Sequence, residues 1–162
     1  MFDAEMMRNT DVSTLSTDQF KALFEVAEKA GLYQISQLNY IQAVDDYERY
    51  LSAAYGSMER EIFGVSFLDN QHGVIATEVL FSGTIDGASI YPREVVKAAL
   101  KHNASAVIFF HNHPSGLLEP SEADKRITDR LKTALETVEI RTLDHFIVTK
   151  VGAMSFAKAG LL

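Results

Sequence analysis

Ala106-Val107-Ile108-Phe109-Phe110 runs without a break into His111-Asn112-His113-Pro114-Ser115-Gly116. Five apolar residues in succession are what a strand covered on both faces requires, whereas a half-exposed strand alternates apolar with polar. The fold is therefore read as layered, with this strand inside it and chemistry beginning where it ends. Side chains at i and i+2 of an extended segment share a face, so a strand continuing through His111 and His113 offers two imidazoles to one ion. Pro114 prevents the segment from turning helical and Gly116 permits a sharp change of direction. The chain can then fold back and deliver Asp124 from the first turn of the next helix.

That helix opens at Pro120 and Ser121 and carries Ala123, Ile127, Leu131, Leu135 and Val138 as an apolar stripe. Upstream, Glu61 to Leu68 and Val74 to Phe81 read as two strands of a hairpin joined by Asp69-Asn70-Gln71-His72-Gly73. Pro92 suits the first position of a helix that turns Val95, Val96 and Ala99 to the core. Residues 143–149 and 153–157 form a closing hairpin about Val151 and Gly152. The order helix, hairpin, helix, strand, helix, hairpin gives an α/β fold with a mixed β-sheet flanked by helices. Two amphipathic helices precede it, one on Phe20, Leu23, Phe24 and Ala27, the other on Ile41, Val44, Tyr47, Leu51 and Tyr55 and ended by Gly56. The chain thus divides into a short N-terminal helical extension, 1–56, and a domain, 57–162.

The 162 residues are 47% hydrophobic and 23% charged, which suits one globular domain. There is no cysteine, so a transition-metal site must use imidazole and carboxylate. Two imidazoles and one carboxylate leave a zinc ion one open position for water, the arrangement of catalytic rather than structural sites. The net charge of −7 repels phosphate backbones and disfavours nucleic acid as a partner. No apolar run reaches the roughly 20 residues of a membrane span, and the acidic, polar start has no secretory pattern, so the expected location is cytoplasmic.

Glu61-Ile62-Phe63-Gly64-Val65-Ser66-Phe67-Leu68, Ser82-Gly83-Thr84, Pro92-Arg93-Glu94, the segment 111–116, Pro120-Ser121-Glu122-Ala123-Asp124 and Leu143-Asp144-His145 occur in this order. Together they resemble the RadC-like branch of the JAMM (Mov34/MPN/PAD-1) metalloprotease family, over roughly residues 57 to 160. The family pattern is an upstream glutamate, then His-x-His, ten residues and Asp, with Ser three before the Asp. The resemblance implies a cytidine-deaminase-like α/β/α sandwich. It makes His111, His113 and Asp124 the Zn²⁺ ligands and Glu61 the catalytic base, with Ser121 stabilising the tetrahedral intermediate. The implied activity is zinc-dependent hydrolysis of a peptide or isopeptide bond in a protein substrate. The RadC-like branch also carries a DNA-repair label, which gives an alternative function on or near nucleic acid. Residues 1–56 are too short and too poor in Gly and basic residues for the helix-hairpin-helix region of long RadC-like chains.

Plainer readings stand beside these. Ser121 is a helix N-cap by its own spacing to Asp124. Glu78, on the second strand, competes with Glu61 as the base, and the residues alone do not separate them. Glu94 suits the first turn of its helix. Either Asp144 or His145 could orient a ligand, or be an ordinary strand residue. His72 falls in a turn, His102 at a helix end, and Arg93 reads as a surface ion-pair residue. A catalytically silent interaction module is a third reading, against which the full ligand set speaks.

Overall fold

The computed structural model describes residues 16–19, 44–83 and 90–162. The helix expected on Phe20 to Ala27 lies outside the described residues, as do Ile41 and Thr84. Eight elements follow one another from residue 44: α1 (Val44–Tyr55), β1 (Ile62–Leu68), β2 (Val74–Ser82), α2 (Pro92–Lys101), β3 (Ala106–Asn112), α3 (Glu122–Glu136), β4 (Arg141–Thr149) and β5 (Gly152–Ser155). The five strands form one sheet in the order β2-β1-β3-β4-β5. β3 and β4 run parallel, joined by α3, and the other neighbours are antiparallel. The sheet is mixed and helices cover it, as the sequence predicts.

β3 sits at the centre and is buried along its whole length. Its alternate residues feed two apolar clusters. Val107 and Phe109 join Phe63, Val65 and Phe67 of β1 against Val95 and Ala99 of α2 and Ile127, Leu131 and Leu135 of α3. Ala106, Ile108 and Phe110 face the other way, with Phe146 and Val148 of β4 and with Tyr47 and Leu51 of α1. A continuous apolar run was required because both faces of this strand are covered by helix. The result is a three-layer α/β/α sandwich. Pro92 stands at the start of α2, as expected of a residue with no N–H to leave unpaired.

Residues 44–55, grouped with the N-terminal extension on sequence grounds, pack into the second cluster through Tyr47 and Leu51. The helix ends where Gly56 passes the end of β4: a Cβ there would lie 2.3 Å from the Thr149 carbonyl oxygen. Glu61 was expected to open β1, but the strand begins one residue later at Ile62. There the Ile62 N–H donates to the side chain of Asn112 (2.7 Å) instead of to a strand backbone. No helix among the described residues is long and apolar enough to cross a membrane.

Candidate metal centre

β3 carries His111 to its end, and the ladder with β4 continues one residue further, since His113 N–H donates to the Val148 carbonyl (2.9 Å). Both imidazoles therefore share the face that carries Phe109, the α3 side of the sheet. Beyond them Gly116 takes a left-handed φ of 81° and the chain doubles back. This returns the Leu117 carbonyl to within 2.7 Å of His113 Nδ1. A carbonyl only accepts, so His113 Nδ1 holds a proton, and in the neutral ring the lone pair is on Nε2.

α3 supplies the third group. Ser121 caps it: its Oγ accepts the Asp124 N–H (3.2 Å) and donates to Asp124 Oδ2 (2.6 Å), to which Ser121 N–H also donates (2.7 Å). The cap therefore fixes the carboxylate as well as the helix end. Asp124 Oδ1 lies 3.3 Å from His111 Nε2, and Oδ2 lies 3.6 Å from His113 Nε2. The two imidazole Nε2 atoms are 2.8 Å apart. Burial alone pushes the Asp124 carboxyl up, but the His111 and His113 imidazoles beside it and the hydrogen bond from Ser121 hold it well below the usual carboxylate range. His113 is raised, first by its contact with Asp124, with burial opposing and the Leu117 carbonyl and the Glu61 charge adding to the rise.

The donor chemistry fits a metal ion. One ligand atom from each of His111, His113 and Asp124 falls within 4.8 Å of the others. Ligands at tetrahedral zinc distances stand about 3.4 Å from one another, close to the two imidazole–carboxylate separations found here. The imidazole pair is tighter than that, and would have to open slightly around an ion. These three residues, and no others among those described, form such a group of His, Cys, Asp or Glu.

Glu61 lies near enough for its charge to act on His113. Glu78 is engaged elsewhere, 2.7 Å from His102 Nε2 and 3.8 Å from Lys101 Nζ at the end of α2. Glu94 pairs with Lys97 (2.9 Å) and with Arg93 (3.3 Å), an exposed ion-pair role for both. His72 occupies the β1–β2 turn with a φ of 64°. Asp144 faces away from the ligands and closes the last hairpin, accepting from Ser155 Oγ (2.5 Å), Ala157 N–H (2.9 Å) and His145 N–H (2.7 Å). His145 does reach the site: its Nε2 is 2.9 Å from His111 Nδ1.

Sequence reasoning passed over two residues. Asn112 accepts from Ile62 N–H and donates to the carbonyls of Met58 (3.0 Å) and Arg60 (3.2 Å), fastening the backbone on both sides of Glu61. Thr128 bonds to His145 Nδ1 (2.6 Å). The available signals were an amide in a fully buried strand and a hydroxyl on the apolar side of α3, one turn after Asp124.

The sequence has relatives. A UPF0758 protein of Vibrio cholerae serotype O1 is 51% identical over 142 residues, which cover 88% of this chain and 63% of that protein. One from Aliivibrio salmonicida is 44% identical over 156 residues, 96% of this chain and 70% of its own. The chain thus spans less than two thirds of the length of the Vibrio cholerae relative. The family model described as the RadC-like JAB domain matches residues 41–161, taking in α1, the whole sheet and all three converging side chains. By that match and these identities, the chain belongs to the RadC-like JAB domain family.

Proposed function

We propose that the chain is a zinc-dependent peptidase or isopeptidase acting on a protein substrate in the cytoplasm, with His111, His113 and Asp124 as metal ligands and Glu61 as general base. The observation that carries this reading is the convergence of two Nε2 atoms and one carboxylate at the end of β3. Imidazole and carboxylate are ligands that suit zinc, and they are the ones this cysteine-free chain offers here. A bound zinc ion would polarise the scissile carbonyl and make a water molecule a competent nucleophile near neutral pH.

Glu61 then takes the proton of the attacking water and hands it to the leaving amine, while Asn112 holds the backbone on either side of it. His111 is buried and His113 is part-exposed, so the substrate approaches from the His113 side. Ser121 serves the developing oxyanion by turning its hydroxyl away from Asp124; Asp124 Oδ2 keeps the Ser121 N–H meanwhile. The net charge of −7 supports a protein rather than a nucleic-acid substrate.

Glu61→Gln tests the assignment. The variant should retain zinc and lose hydrolysis of peptide or isopeptide conjugates by about 10²- to 10⁴-fold, the usual contribution of a positioned base. Turnover at the rate of the unaltered protein by zinc-loaded Glu61→Gln would remove Glu61 from the reaction.

A further inference from the structure

A chain of three hydrogen bonds runs inward from the ligand group, and each link fixes the direction of the next. Thr128 Oγ1 lies 2.6 Å from the carbonyl oxygen of Asp124, one turn before it on α3. Two oxygens that close require a proton between them, and only the hydroxyl has one, so Thr128 donates to Asp124 O. The same Oγ1 lies 2.6 Å from His145 Nδ1. Its proton being committed, the hydroxyl can only accept there, and His145 Nδ1 must carry the hydrogen.

His145 is fully buried, stacked on Phe156 at 4.7 Å between ring centroids and edged by Phe63 and Phe109. This apolar casing disfavours a second proton on the ring, so Nε2 is left as an acceptor. It lies 2.9 Å from His111 Nδ1, which therefore donates. With its own proton on Nδ1, a neutral His111 presents a lone pair at Nε2, the atom that faces His113 and Asp124.

We infer that Thr128 and His145 are positioning residues: their relay locks the His111 ring in the Nδ1–H tautomer and aims its Nε2 lone pair at the metal position. The inference rests on the metal-centre reading of His111, His113 and Asp124. It adds that the nitrogen His111 offers to a metal is set two hydrogen bonds away, by the Thr128 hydroxyl. On His113 the Leu117 carbonyl likewise keeps a proton on Nδ1. A histidine packed merely to fill the core would need no particular proton order along this chain.

Thr128→Val keeps the side-chain shape and deletes the hydroxyl, leaving the His145 Nδ1–H without an acceptor. His145 should then move its proton to Nε2 and donate to His111 Nδ1, driving the His111 proton onto Nε2. Long-range ¹H–¹⁵N correlation spectra of metal-free protein read both tautomers directly. The expected result is His111 as Nδ1–H in the unaltered protein and in Thr128→Ser, and as Nε2–H in Thr128→Val. Titrating Zn²⁺, and Co²⁺ followed by its visible absorption, should show affinity reduced about 10- to 100-fold in Thr128→Val and restored in Thr128→Ser. His111 found as Nε2–H in the unaltered protein, or tautomer and affinity both unmoved by Thr128→Val, would overturn the relay. Failure of the unaltered protein to bind either ion would instead defeat the metal-centre reading, and the metal-free spectra would still decide the proton order.

Discussion

Asp124 serves two structures at once, as the third residue of α3 in a capping box and as the carboxylate facing two imidazoles. Ser121 links these roles, because its hydroxyl accepts from the helix N–H and donates to the carboxylate. Ser121→Ala should therefore lower the unfolding free energy by about 1 kcal/mol, the ordinary cost of a lost cap, even without metal. Ser121→Thr should retain most of that; urea unfolding at an unchanged m-value measures both. At this scale the sequence was most informative where spacing alone aligns side chains. His111 and His113 share a strand face two residues apart, and Asp124 follows one turn. Asn112, Thr128 and His145 were not legible in the same way, since the partners of each lie on segments 17 to 54 residues distant or in a packing that only the folded sheet creates. Glu61 and Glu78 were inseparable in the sequence because both are carboxylates of one hairpin; in the fold α2 brings His102 and Lys101 to Glu78.

Among the elements, β3 had the clearest signature, and α1 was legible as a helix without a fixed place. The apolar run 106–110 could be read directly as a doubly covered strand. The stripe on α1 announces an amphipathic helix but does not say what it packs on, and its distance from the site motifs favoured an appendage. Its anchoring is tertiary. Tyr47 OH is hydrogen-bonded to Ser66 Oγ on β1, Lys158 Nζ reaches Asp45 (2.8 Å) and Glu48 (2.7 Å), and Gly56 passes against the Thr149 backbone. Gly56→Ala would force a methyl group into that backbone, which cannot swing aside as a side-chain end could. A destabilisation of about 1–3 kcal/mol is expected from denaturant unfolding, with no change in metal content. Gly64 makes a similar demand inside β1, where a Cβ would fall 2.1 Å from the buried Phe110 ring.

At the scale of the described residues as a whole, two apolar clusters on opposite faces of one sheet hold α1, α2 and α3, and His111, His113 and Asp124 meet where the end of β3 faces the start of α3. Leu51 is fully buried in the α1 cluster, so Leu51→Ala should cost about 2–5 kcal/mol. Circular dichroism and intrinsic tyrosine fluorescence should report one coincident transition in the variant and in the unaltered protein, as expected if α1 unfolds with the sheet. A Leu51→Ala effect below about 0.5 kcal/mol would mean that α1 adds little to the stability of the sheet. The family match starting at residue 41 agrees with the packing of this helix.

Whether His111, His113 and Asp124 hold a metal ion is decided by the metal content per chain. Protein purified without chelators, unaltered and as His113→Ala, would be compared by elemental analysis. Near-stoichiometric zinc is expected in the unaltered protein, and its loss in His113→Ala. Absence of bound metal from the unaltered protein, together with no rise in melting temperature on adding Zn²⁺, would contradict the metal-centre reading.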